Sequence, residues 1–328
     1  MIISVMIIPF TACDNTENQE GPVILPSNEI TSIYIDKDNI KWFGTAAGLV
    51  SFDGIKWAVY SANDGVAGEY VRDLSFQHSV HGNELWVATN DGVSVHNYDV
   101  DGITSATVYA GDNSGLNCDT VTALTVDAGN VRWFSTAKGI SVFAVHDWFS
   151  RTYREMRHKK ILCIGSASDG WNYMGTEGDG VARYRYDDVD GITGASRIDT
   201  DWSEIPDDNV LSVFVVSDTC QWYGTVNGAG CHRGRDTRFG WTVYTKDDGL
   251  ISDTVTAIFE DSKGVVWFGS PVGLCSFDGD KWTHFTVKDG LSGNCINDIN
   301  EDIDGMIWIA TDKGISVYDG NYWKIYRK

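Results

Sequence analysis

Trp42-Phe43-Gly44-Thr45 is one of seven versions of a single four-residue phrase. The others are Trp86-Val87-Ala88-Thr89, Trp133-Phe134-Ser135-Thr136, Tyr173-Met174-Gly175-Thr176, Trp222-Tyr223-Gly224-Thr225, Trp267-Phe268-Gly269-Ser270 and Trp308-Ile309-Ala310-Thr311. Each reads aromatic, apolar, small, hydroxyl. Successive aromatic positions lie 44, 47, 40, 49, 45 and 41 residues apart. Recurrence at that period is the mark of one four-stranded blade per repeat. Seven repeats predict an all-β chain: a seven-bladed β-propeller of four-stranded antiparallel blades.

The phrase has a physical cause. Side chains alternate between the faces of a strand. The aromatic and the small residue therefore share one face, and the apolar residue and the Thr share the other. A sheet wedged between two others must bury both faces, and the small residue leaves room for its neighbour's bulk. The flanking sequence completes the blade. An alternating stretch precedes the phrase, as at Val121-Thr122-Ala123-Leu124 and Ile296-Asn297-Asp298-Ile299. This is strand a, the innermost, and the phrase is strand b. Between them lies a turn with Asp at its head: Asp127 to Asn130, Asp261 to Gly264, Asp302 to Gly305. Strand c ends in an Asp-Gly pair, as at Asp53-Gly54, Asp278-Gly279 and Asp319-Gly320, which signals a two-residue hairpin turn. Strand d follows, for example Trp282 to Phe285, and an Asp-Gly-Leu or Asp-Gly-Val segment leads to the next blade. Strands are expected from near Ile30 to near Tyr326, so no blade need be shared between the termini. An edge strand contributed to the last blade by Pro22 to Pro26 stays open.

The 328 residues carry 35 Gly, 13 Trp and 14 Tyr against 5 Pro, which suits many short strands. Lys and Arg number 25 and Asp and Glu 46, a net charge of −21. So acidic a surface repels phosphate backbones and argues against nucleic acid as a partner. Residues Met1 to Phe10 form an apolar run far shorter than the roughly 20 residues that span a bilayer. With Thr11, Ala12 and Cys13 it resembles a lipoprotein signal with its lipobox, Cys13 being the lipidated residue. Residues 1–13 are thus read as signal, 14–29 as a polar tether and 30–328 as the propeller. The expected location is the bacterial cell envelope, lipid-anchored and periplasmic or surface-exposed, with plain secretion as the alternative. The lipid would be the sole membrane contact. The remaining six cysteines form no C-x-x-C pair, so no metal or other cofactor is expected. Cys220 and Cys231 are the nearest pair. Their register favours packed free thiols over a bridge.

The consensus Asp-Gly-Leu, then Glu-Asp-x-x-Gly-x-Ile-Trp-Ile/Phe-Gly/Ala-Thr, then x-x-Gly-Ile/Leu-Ser-Val/Phe-Phe/Tyr-Asp-Gly and x-Trp-x-x-Tyr resembles the two-component regulator propeller repeat. Residues 248 to 285 and 289 to 326 carry it best, followed by 30 to 60. The resemblance implies a relation to periplasmic sensor propellers of hybrid histidine kinases from carbohydrate-degrading bacteria. Those sensors add a second propeller, a β-sandwich, a membrane helix and a kinase. A propeller alone implies a sensor accessory, and most repeat residues are then scaffold.

Enzymes built on propellers usually place their site over the central channel, on the face formed by d–a and b–c loops. Two sets of unusual residues are expected on that face. Arg151, Arg154, Arg157, His158, Lys159 and Lys160 interrupt an acidic chain and replace the usual Asp-Gly-Leu. They can hold an anion by charge-assisted hydrogen bonds, or pair with nearby carboxylates as a solvated loop. The second set is acidic: Glu69, Asp91, Glu177, Asp179, Asp201, Glu204 and Asp312. With Tyr70 and Trp202 it can bind a sugar through stacking and hydroxyl hydrogen bonds, or form plain polar loop tips. Asp99 to Thr104 recurs as Asp188 to Thr193. An extended c–d hairpin explains this better than a calcium loop, which needs more alternating oxygen donors. The Asp-headed turns resemble sialidase Asp boxes but lack the preceding Ser, and they are read as turn structure. No Ser-His-Asp or Cys-His set is visible, and no catalytic residue is assigned.

The expectation is a monomeric, non-enzymatic envelope propeller that binds a small molecule, an oligosaccharide or an envelope protein, as a sensor accessory. One alternative is a lyase or glycosidase acting on extracellular polysaccharide. The other is a structural module of a surface assembly.

Overall fold

In every repeat the aromatic-led phrase lies in the second strand of a four-stranded antiparallel sheet, as in Val266–Ser270 of blade six and Ile307–Thr311 of blade seven. The computed structural model describes residues 22–79, 82–99, 102–145, 147–152, 160–187, 191–194, 197–234 and 236–328. Its 28 strands form seven sheets. The blades span 30–60, 71–109, 121–152, 161–194, 210–244, 257–285 and 296–326. Among the described residues the sole helical element is the short 3-10 turn Ala62–Asp64. The chain is a seven-bladed β-propeller. Residues 22–28 carry no strand, and Leu25 instead packs into the seam between blades one and seven. The segment expected to be a lipoprotein signal, Cys13 included, lies outside the described residues.

Three local devices make a blade from its repeat. The first is the Asp at the head of the a–b turn. Asp261 accepts the backbone N–H groups of Lys263 and Val265, each at 2.9 Å, and its other oxygen accepts Trp267 Nε1 at 2.9 Å. Asp302 does the same for Asp304, Met306 and Trp308, and Asp127 for Gly129, Val131 and Trp133. One carboxylate thus satisfies two turn donors and pins the indole six residues on. The second device is the hydroxyl of the phrase. In all seven blades it donates to the carbonyl of the Gly that closes the b–c turn, at 2.7 to 3.1 Å. The third is Gly in the Asp-Gly-Leu segment. A Cβ on Gly249 would stand 2.4 Å from Trp282, and one on Gly290 would stand 2.5 Å from Trp323. The glycine exists because the next blade's outer Trp packs flat on the connection.

Packing between blades follows the alternation expected from the phrase. Trp42 packs forward onto Val71, Leu74 and Val87 of blade two, and Phe43 packs backward onto Trp308 and Ala310 of blade seven. The seven buried apolar clusters are the seven seams. The small residue has its expected reason: a Cβ on Gly44 would sit 2.7 Å from Val71, and one on Gly269 would sit 2.5 Å from Ile296. Polar bonds cross the seams as well. Lys41 of blade one is 4% exposed, lies 3.3 Å from Asp302 and sits over the Trp308 ring. It closes the ring onto blade seven with a buried ion pair. Asn172 of blade four reaches Asp127 of blade three in the same way.

Strands a wall the channel. Asp73 and Asp298 occupy matching places there, opposite Ala88 and Ala310. Asp73 accepts N–H from Leu74 and from Leu124 of blade three, and Asp298 from Ile299 and from Ile33 of blade one, all at 2.8 Å. Burial in the channel wall pushes Asp73 up to about 7 and Asp298 up to about 6, from an ordinary 3.8, against those hydrogen bonds. Cys220 opposes Arg233 and Cys231 opposes Trp222, so the two thiols are diagonal, and both are free. Asp99 pairs with Gly102 and Asp187 with Gly191, so the paired c and d strands of blades two and four run up to the two Asp-x-Asp-Gly stretches, of which residues 100–101 and 188–190 lie outside the described residues.

Two outcomes follow for stability. Removing the Asp261 carboxylate in Asp261→Ala strands three donors and should cost about 2–3 kcal/mol. Asp302→Ala should cost more, about 3–5 kcal/mol, because it also leaves Lys41 buried without its partner. Replacing Lys41 by Met should recover part of that difference in the Asp302→Ala background and none in the Asp261→Ala background, read by urea unfolding. The second outcome concerns pH. The folded Asp73 and Asp298 hold protons to higher pH than the unfolded chain does. Their contribution to stability is therefore full below the unfolded pKa of 3.8 and is lost as pH rises through about 6 and 7. The urea midpoint should fall across that window, and Asp73→Asn with Asp298→Asn should flatten the fall. An unchanged slope would contradict the assignment.

Candidate functional site

The channel mouth is built by the first residues of strands a and the loops that enter them. Tyr70, Arg72, Glu29, Thr31, Thr256 and Asn297 surround a cavity of about 250 Å³, and below it a channel of about 460 Å³ runs between the strands. The mouth is polar, and its polar groups are joined to one another. Tyr70 donates its hydroxyl to Glu29 Oε1 at 2.7 Å. Partial burial, then the bond to Glu29, raises the Tyr70 hydroxyl above its usual range. Arg72 lies over the Tyr70 ring at 5.1 Å and donates to Asn90 Oδ1. Thr31 donates to Val71 O at 2.8 Å, Thr256 to Ile296 O at 2.7 Å and Asn297 to Ile30 O at 2.7 Å. Each of these bonds runs to the strand a that follows around the ring. The mouth is therefore held by the same contacts that hold the blades together.

A larger hollow of about 750 Å³ lies on the side of the ring where blade four meets blade five. It exists because blade four's outer strand is irregular. Gly191–Gly194 pairs with strand c, and the pairing resumes at a single bridge between Ile198 and Val181. Ile198 and Ile205, both buried, anchor the connection to blade five. Between them Asp199 O accepts Trp202 N, Ser203 N and Ser203 Oγ, which forms a tight turn. Trp202 projects from that turn and is 73% exposed. Thr200 is tied in addition to the Asp208 carboxylate.

Two charged pairs flank the tryptophan. Arg197 bonds the carboxylate of Asp199, which is 2% exposed. That bond lifts the guanidinium further above its usual range. The second oxygen, Asp199 Oδ1, is buried without a hydrogen-bond partner among the described residues. Across the hollow Arg238 makes a two-point bond to Asp236, at 2.9 and 2.7 Å, which holds that carboxyl down at about 2. Arg183 forms the floor, its guanidinium 5.7 Å from the Trp171 ring and 5.9 Å from the Tyr173 ring.

The residues singled out in the sequence separate into two places. Tyr70 lies at the channel mouth and Glu69 stands exposed beside it. Trp202 lies in the side hollow, with Asp179 3.9 Å from Arg197 and Glu204 exposed just beyond the turn. Glu177 pairs with Asn209 on the rim above. Arg151 is exposed on the outer strand of blade three. Arg154, Arg157, His158 and Lys159 lie outside the described residues. Arg183, Arg197, Asp199, Asp236 and Arg238 were not singled out. For all but Arg183, which sits on strand c of blade four, the signal was one of length: the stretches 197–209 and 234–240 both exceed the repeat's standard turns.

The two-component regulator propeller model matches residues 249–271 and 290–313, which hold strands a and b of blades six and seven. No curated protein sequence matches the chain. Among solved structures, it is similar to the extracellular domain of a putative one component system, BT4673, from B. thetaiotaomicron. That likeness has 19% identity, TM-score 0.65 and 89% of this chain covered. It is also similar to PorZ of Porphyromonas gingivalis, described as a bacterial surface component of the type-IX secretion system, with 15% identity, TM-score 0.69 and 91% covered. The chain spans 38% of the first protein's length and 47% of the second's. A streptogramin B lyase is similar over its whole length: 14% identity, TM-score 0.67, 92% of this chain and 95% of that one. At these identities the likenesses concern the fold. The chain is a seven-bladed propeller whose last two blades hold two-component regulator propeller repeats and whose other five follow the same plan.

Proposed function

We propose that this chain is a propeller of the bacterial cell envelope that binds a ligand or protein partner without transforming it, as an accessory to two-component-type sensing. The observation that carries this reading is the use of the polar groups at the channel mouth. Tyr70, Arg72, Thr31, Thr256 and Asn297 hold neighbouring chain segments together, whereas a general acid or base must be able to reach the substrate's proton. The side hollow, by contrast, presents an exposed aromatic ring beside fixed polar groups, the usual make-up of a binding site. The repeat match and the likeness to an extracellular sensor domain support a sensing context. The lipobox-like run ending at Cys13 supports attachment to a membrane surface through lipid.

A second reading keeps one observation in its favour, the whole-length likeness to a streptogramin B lyase. In that reading the chain is a lyase or glycosidase acting on extracellular polysaccharide over the channel.

The two readings separate in one set of measurements. The full chain, expressed in a Gram-negative host, should incorporate labelled fatty acid and lose the label in Cys13→Ala. Purified, it should retain glycans or envelope proteins in binding assays and leave every glycan intact by mass spectrometry. Product formation that disappears in Tyr70→Phe would overturn the binding reading in favour of the second.

A further inference from the structure

We infer that the hollow between blades four and five is a binding site for a short neutral oligosaccharide, with Trp202 as the stacking platform for one sugar ring. The inference rests on the binding reading above and adds to it a place and a ligand class.

Three features converge. Trp202 is 73% exposed, yet its backbone is fixed by the turn on Asp199 and by the buried Ile198 and Ile205. A large ring held out in water by a rigid turn is ready for a flat apolar face, and the C–H face of a pyranose offers one. The flanking charges come as pairs, Arg197 with Asp199 and Arg238 with Asp236. Each pair is neutral as a unit, so the walls offer directed donors and acceptors rather than a field. With Asp179 also 3.9 Å from Arg197, three carboxylates balance Arg183, Arg197 and Arg238, so neither an anion nor a cation meets a net field. Hydroxyl groups, which donate and accept at once, suit alternating donors and acceptors. Finally, Asp199 is itself 2% exposed and its carboxylate holds the Arg197 guanidinium at the wall, so that donor meets a ligand in one orientation. The volume of about 750 Å³ falls within the range of about 300–1,000 Å³ usual for small-ligand sites.

Calorimetry and tryptophan fluorescence on the full chain test this. The probes are neutral gluco-, xylo- and manno-oligosaccharides, oligogalacturonate and inorganic phosphate. At least one neutral series should bind with a change in tryptophan emission. Trp202→Ala, at an exposed turn tip, should fold normally and weaken that binding by roughly tenfold or more, a loss of about 1.4 kcal/mol. Asp199→Asn keeps the shape and should weaken it several-fold, and Tyr70→Phe at the channel mouth should leave it unchanged. Neutral-sugar binding that survives Trp202→Ala would place the site elsewhere and leave the binding reading intact. Binding of only oligogalacturonate or phosphate would overturn the ligand class. If no probe binds a well-folded chain that still captures an envelope protein, the inference fails alone. If nothing is captured either, the broader reading fails with it.

Discussion

The carboxylate at the head of the a–b turn, present in four of the seven blades, does more for this fold than any other single group. In blades three, six and seven the Asp at the head of the a–b turn takes two backbone N–H bonds and the indole N–H of the Trp six residues later. The turn donors would otherwise be stranded at a buried corner. The indole would otherwise bury a polar N–H in an apolar seam. Satisfying both with one side chain fixes the angle at which the ring enters the neighbouring blade. Blade one uses Asp36 in the same way, with Tyr98 of blade two as a further donor. Blade two lacks the Asp, and its Trp86 takes a carboxylate from its own strand, Glu84. Blade five has no Asp at that corner either, and its Trp222 reaches Glu260 of blade six. The requirement persists where the residue does not.

That constraint propagates around the ring. With the aromatic held in place, the small residue two positions later meets the start of the next strand a at close range, and the chain carries only Gly, Ala or Ser there. Seams built this way need little else, but polar links thicken them at the channel: Thr31, Thr256 and Asn297 on the rim, and Asp73 and Asp298 deeper. The closure between blades seven and one receives the buried Lys41–Asp302 pair and Asp298 besides its apolar cluster. No shared blade closes this ring, so side chains perform the closure that shared strands would otherwise provide.

The consequence for function is a division of labour. The channel is where the repeat is most regular, and its polar groups are largely engaged in cohesion. The hollow between blades four and five is where the repeat is least regular. Blade four's outer strand is short, and the connection after it forms a turn of its own. Departures from the repeat leave side chains that cohesion does not need, and Trp202 is one of them.

The Asp-Gly hairpins of blades one, six and seven, expected as two-residue turns, are four-residue connections between strands c and d. The blade count, the strand order and the seam chemistry could be read from the chain. They rest on spacings within a few residues that recur seven times, so sequence distance and spatial distance coincide. Trp202 and Asp179 were legible as unusual residues, but their surroundings were not, and Tyr70 proved to belong to another place in the ring. Arg183, Arg197, Asp199, Trp202, Asp236 and Arg238 come together across a seam between two blades, from three stretches spread over more than one repeat. No period links them. Only the place where one outer strand ends, and the direction in which the following turn throws its tryptophan, could decide that they share a wall.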